Sequence, residues 1–199
     1  MKIQLRKAEL EIGFLFAAGV TLMLILDDSG GAAMTLTACL LHECGHLLCL
    51  LAFGEAPCRV KLAVFGMRID RARGIRLSLT QEAAVALAGP CANLLLALCA
   101  WLLVLGGKER MLLPVAVNFG IAAFNLLPIE PLDGSKALYF LLCRCREEDG
   151  ARRFVSRISL CLAVPLVIVG GAVLVKSGYN FTLLAVSVYL FLLILLRKE

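Results

Sequence analysis

The chain has two histidines among its 199 residues, at positions 42 and 46, and a glutamate follows the first of them at position 43. On a helix, residues four apart share a face one turn apart, so both imidazoles can reach a single metal ion. Glu43 is rotated about 100° from His42 but stays close enough to reach a water on that ion. His42-Glu43-Cys44-Gly45-His46 therefore reads as an HExxH motif, with Glu43 the expected general base of metal-assisted hydrolysis. The motif sits in the middle of an apolar run, where ionisable groups are costly and need a reason. A plainer reading has two histidines satisfied by neighbouring helices beside a neutral glutamate. It must place all three groups in a span that requires none of them.

A hydrolytic zinc needs a third protein ligand and one open position. Asp27, Asp28, Asp70 and Asp149 lie in or beside loops, and Glu82 opens a later span. Asp133 has a distinctive setting, Asn125-Leu-Leu-Pro-Ile-Glu-Pro-Leu-Asp133-Gly134, at the end of an apolar run. Pro128 and Pro131 prevent continued helix, so this segment can turn back toward a metal. Irregular backbone at membrane depth is tolerated where it is buried or lines a wet cavity. Asp133-Gly134 alone could equally be a helix start or a turn, and spacing leaves its role open.

The elements that must hold these residues follow from composition. Hydrophobic residues make up 61% of the chain and charged ones 18%, with a mean hydropathy of +0.91. A soluble domain would be nearer half apolar and a quarter charged. An ordinary cytosolic enzyme, a disordered regulator and a nucleic-acid-binding module are excluded. The fold class is an α-helical polytopic membrane protein of about six transmembrane helices, at about 12–26, 32–53, 83–105, 111–127, 158–175 and 181–196. Gly89-Pro90 predicts a kink in the third. With both termini in the cytoplasm, 17 of the 20 Lys and Arg residues lie inside, as the positive-inside rule requires. The basic balance thus belongs to topology and anionic lipid. The first apolar run has no small-residue cleavage site and follows acids, so it is expected to remain as a span. Between the second and third spans, 58–80 is too charged to cross, and its alternation predicts a short cytoplasmic β-hairpin. The nine cysteines fall in apolar runs or on the reducing side and read as thiols. No repeat or linker divides 1–199, which is expected to be one domain.

HExxH in one span, followed by N-x-x-P-x-x-P-L-D-G, resembles the site-2 protease family of intramembrane zinc metalloproteases. The match uses His42, Glu43, His46, Asn125, Pro128, Pro131, Leu132, Asp133 and Gly134. Ala88-Gly89-Pro90-Cys91-Ala92-Asn93 resembles the family's A-G-P-x-x-N segment. The resemblance covers roughly residues 8–196. It implies His42, His46 and Asp133 as ligands of one zinc, Glu43 as the base, and Asn93 and Asn125 as candidates for holding substrate backbone or the oxyanion. It also implies a multi-pass protein of the bacterial cell membrane with its site toward the cytoplasm. The expected partners are a membrane-bound protein substrate, an inhibitory or activating membrane protein, the bilayer and further copies, without nucleic acid. The compact plan, with no PDZ domain and no CBS domain, is most similar to the branch that processes the sigma-K precursor in sporulation. Ser135, where a second glycine is common, and Glu130 depart from that branch.

Two other readings use the same ligands. A metal transporter would show further ligands along a path, and no other histidine exists to line one. A catalytically silent relative would bind substrate without needing Glu43.

Overall fold

The computed structural model describes residues 2–5, 8–12, 20–21, 23–25, 27, 30–55, 57–63, 66–71, 77–178 and 181–196. The expected first span, about 12–26, lies mostly outside them. Among the described residues the architecture is mostly helical. The elements are β1 (Lys2–Leu5), β2 (Ala8–Ile12), α1 (Gly31–Ala52), β3 (Pro57–Ala63), β4 (Gly66–Arg71), α2 (Leu79–Leu105), α3 (Leu112–Asn125), α4 (Asp133–Leu142), α5 (Glu148–Ser177) and α6 (Thr182–Leu196).

Helices α1, α2 and α5 are long and apolar enough to cross a membrane, and α6 is a shorter apolar helix. Their lipid-compatible surfaces carry exposed leucines such as Leu48, Leu95, Leu98 and Leu102. In water such surfaces would be unfavourable, and in a bilayer they are matched. The chain is an integral membrane protein.

Local chemistry sets the ends of the two helices that matter most. At the start of α1, Asp27 Oδ2 accepts a hydrogen bond from Ala32 N at 2.6 Å, satisfying one of the donors a helix leaves unmet. The helix α2 opens four residues before the expected third span because Ser78 and Gln81 form a capping box. Ser78 Oγ accepts from Gln81 N at 3.3 Å and Gln81 Oε1 accepts from Ser78 N at 2.9 Å. This cap offsets the cost of extending the helix past the apolar stretch. Pro90 lies inside α2, which continues through it.

Four strands form a sheet in the order β1-β2-β3-β4. β3 and β4 pair antiparallel, with Val60 opposite Ile69 and Leu62 opposite Met67. β2 joins parallel to β3, with Leu10 opposite Val60. The N-terminal segment, expected from the sequence only to lie in the cytoplasm, therefore adds two strands. Its signal was the period of two in Glu9-Leu10-Glu11-Ile12.

The segment 128–157, expected to be a charged cytoplasmic stretch, contains α4 and the first turns of α5. At its near end, 126–132 is irregular, as its prolines dictate. Ile129 is buried against Ala163 of α5 and Leu190 and Ile194 of α6. Ser159 of α5 donates from its Oγ to Pro128 O at 3.2 Å and accepts from Glu130 N at 3.0 Å. One apolar anchor and one pair of hydrogen bonds thus fasten this loop to the C-terminal helix pair.

Candidate metal centre

The irregular loop delivers Asp133 to the first position of α4, where Leu132 is the N-cap. Both sequence readings of Asp133-Gly134 meet here: a helix starts, and the carboxylate turns toward α1. Gly134 allows this approach, because a Cβ there would clash with Leu126 O and lie 2.7 Å from Leu127 O.

Asp133 Oδ2 lies 3.0 Å from His42 Nε2 and 3.1 Å from His46 Nε2, and the two Nε2 atoms are 3.1 Å apart. All three side chains are buried, at 5%, 8% and 6% exposure for His42, His46 and Asp133. Among the described residues this is the one group of His, Cys, Asp or Glu side chains that could hold a metal ion. Lys136, one turn along α4, donates from Nζ to the second oxygen, Asp133 Oδ1, at 2.8 Å.

The far side of each imidazole fixes what Nε2 offers. His46 Nδ1 lies 2.7 Å from Val85 O, a carbonyl that can only accept, so Nδ1 carries the hydrogen and Nε2 keeps a lone pair in the neutral ring. His42 Nδ1 lies 2.7 Å from Asn93 Oδ1. Asn93 spends both amide hydrogens elsewhere, on Ala38 O at 3.1 Å and Asn118 Oδ1 at 2.8 Å, so its oxygen faces His42. Two imidazole lone pairs and a carboxylate oxygen thus converge on one point, which is unfavourable unless a cation stands between them. Ligands about 2.0–2.1 Å from a tetrahedral zinc are about 3.3 Å apart, close to the spacings observed.

Space for an ion depends on two close approaches between α1 and α2. Gly45 packs against α2, where a Cβ would come 2.7 Å from Ala88 O and 2.9 Å from Ala92 Cβ. Gly89 faces the histidines, and a Cβ there would clash with His46 Nε2 and lie 2.7 Å from His42 Nε2. The A-G-P segment therefore serves as the floor of the centre.

The other expected site residues are placed as follows. Glu43 is half-buried on α1, the next residue after His42. Asn93 is fully buried, with both amide hydrogens spent within the protein and its oxygen turned to His42. Asn125 is half-buried and donates from Nδ2 to Ile121 O of its own helix at 3.0 Å. Sequence reasoning missed Asn118 and Lys136. Asn118 carried one signal, a polar side chain inside an apolar helix.

No family model matches the chain. It is 31% identical over 156 residues to stage IV sporulation protein FB of Bacillus subtilis, covering 75% of this chain and 54% of that protein. It is 29% identical over 164 residues to Rip3 of Mycobacterium tuberculosis, whose name assigns it provisionally to the zinc metalloproteases, covering 77% of this chain and 41% of that protein. The chain spans about half the length of the curated relatives it matches. The solved structure of the site-2 protease from Methanocaldococcus jannaschii superposes with a TM-score of 0.64 at 17% identity, covering 100% of this chain and 95% of that one. Fold and site together define a helical membrane protein with a His-His-Asp centre that fits zinc. The chain is similar in sequence to a sporulation protein and to a provisional zinc metalloprotease, and it shares the fold of a solved site-2 protease.

Proposed function

We propose that this chain is an intramembrane zinc metalloendopeptidase that cleaves a peptide bond in or near a transmembrane segment of a membrane-bound substrate. The observation that carries the reading is the convergence of His42 Nε2, His46 Nε2 and Asp133 Oδ2 within 3.1 Å, with Glu43 the next residue after His42.

In this reading His42, His46 and Asp133 hold zinc, and Lys136 holds the second oxygen of Asp133. The chemistry zinc supplies when bound is Lewis-acid polarisation of the scissile carbonyl and acidification of water to a pKa of about 7. Glu43 accepts the water's proton and passes it to the leaving amine. Asn125, whose Nδ2 keeps a second hydrogen beyond its bond to Ile121 O, is the candidate donor to the oxyanion, a contribution of a few kcal/mol. Burial of the three ligands keeps bulk water away and strengthens these interactions.

A substrate helix hides its carbonyls in its own hydrogen bonds and must be extended before cleavage. Strand β4 lies at an edge of the sheet, and an extended substrate can add there as a further strand. If residues 60–64 are replaced by a proline-containing sequence, cleavage should fall sharply; unchanged cleavage would remove the sheet from substrate capture. The six-span arrangement with both termini and the site toward the cytoplasm belongs to the same proposal, supported by the distribution of Lys and Arg. The resemblance to the branch that processes the sigma-K precursor suggests a membrane-tethered pro-sigma factor or anti-sigma factor, in sporulation or stress signalling, as the substrate class.

The deciding experiment is cleavage of a co-expressed, tagged membrane substrate by the wild type and by Glu43→Gln, with bound zinc assayed in both. Cleavage by the wild type alone, with zinc in both, is the expected result. Equal cleavage by both would overturn Glu43 as the base, and zinc in both with no cleavage across a panel of substrates would indicate a silent relative.

A further inference from the structure

Asn118 lies on α3 outside every motif in the sequence, yet its buried side chain ends a chain of hydrogen bonds that reaches the metal centre. Asn118 Nδ2 donates to Pro114 O at 3.0 Å, which turns its Oδ1 toward α2. That oxygen accepts from Asn93 Nδ2 at 2.8 Å, Asn93 gives its other hydrogen to Ala38 O at 3.1 Å, and Asn93 Oδ1 faces His42 Nδ1 at 2.7 Å. Backbone carbonyls can only accept, so both outer ends of the chain are pinned. Each amide then has one orientation in which every atom is matched.

We infer that Asn118 is a positioning residue which, through Asn93, holds His42 in the tautomer with hydrogen on Nδ1 and so keeps the Nε2 lone pair on the metal side. If the Asn93 amide turned over, its oxygen would oppose two acceptors, Ala38 O and Asn118 Oδ1. Its Nδ2 would then face His42 Nδ1, the ring hydrogen would move to Nε2, and that hydrogen would point at Asp133 and His46. Buried acceptor pairs of this kind are costly, and Asn118 supplies one of the two that forbid the turn. His46 is outside this control, because Val85 O holds its Nδ1 directly. The centre thus contains one imidazole fixed by backbone and one fixed by a relay of two side chains.

The inference rests on the proposed reading of His42 as a metal ligand, and the experiment separates the two. The full chain is labelled with 15N-histidine, which reports two rings only, and compared as wild type, Asn118→Leu and Asn118→Asp. Nitrogen signals are read in metal-free protein at alkaline pH, where ordinary imidazoles are neutral, and zinc affinity is read by competition with a chelator. Asn118→Leu removes the acceptor, so His42 should gain hydrogen on Nε2 while His46 stays unchanged, and the zinc Kd should weaken about tenfold, at the lower end of the range for groups supporting a ligand. Asn118→Asp keeps an oxygen that accepts from Asn93 Nδ2 even when ionised, so His42 should keep its hydrogen on Nδ1 and the zinc Kd should stay within about threefold of wild type. Unchanged His42 signals with unchanged affinity in Asn118→Leu would overturn the inference, as would equal changes at His42 and His46, which mark general damage. If Asn118→Leu does not fold, Asn118→Ala reads the same two quantities. Zinc binding by the wild type tests the centre itself, while the difference between the two rings tests the relay.

Discussion

A single methyl group at residue 89 separates metal binding from folding. Gly89 lies in a continuous helix with ordinary backbone angles, so alanine there suits the helix, and its Cβ would project into the His42–His46 pair. Gly89→Ala should reach the membrane folded and lose at least tenfold in zinc affinity, the scale seen when support around a ligand is disturbed. Zinc stoichiometry after chelator dialysis measures this, and full retention of zinc would remove Gly89 from the floor of the site. At this scale the sequence was legible wherever spacing is local. His42, Glu43 and His46 are neighbours on one helix, so periodicity alone placed them together. Asp133 is 91 residues from His42; its proline-rich setting set it apart from five other acids, and the resemblance to a known segment gave it the ligand role. Asn118 has no partner at a fixed spacing, and a lone asparagine acquires meaning only from what folds against it.

Among the elements, the loop that carries Asp133 depends on a helix far along the chain. Ser159 on α5 ties down both Pro128 and Glu130, and Ser187 on α6 offers a matched control, fully buried but bonded to Leu184 O of its own helix at 3.0 Å. Ser159→Ala leaves a half-buried acceptor and donor without their serine partner, at a cost of about 1 kcal/mol, and should lower both unfolding stability and zinc retention. Ser187→Ala should lower stability alone. Unfolding in graded detergent denaturant, read beside zinc content, distinguishes the two; identical profiles would mean that the serine on α5 only packs. The long helices were legible because an apolar stretch is its own signal. Helix α4 was not, since its 10 residues sit in charged surroundings where composition resembles a loop. Strand β2 was missed because its partner β3 lies some 50 positions away and β1 pairs in turn with β2, and four or five residues of alternation carry little weight alone.

Over the whole molecule, chain order and spatial order differ in a way that matters during synthesis. The two imidazoles belong to α1, the floor and Asn93 to α2, Asn118 to α3 and the carboxylate to α4, so the centre closes only when α4 has joined α1, α2 and α3. A ribosome that stops before residue 133 has made His42, His46 and the proposed base Glu43, but not the third member of the His-His-Asp group. The loop then waits for Ile129 and the backbone of Pro128 and Glu130 to meet α5 and α6. A copy that stops short of α4 has its two imidazoles beside α2 without the carboxylate, and under the proposed reading it would hold zinc weakly and cut nothing.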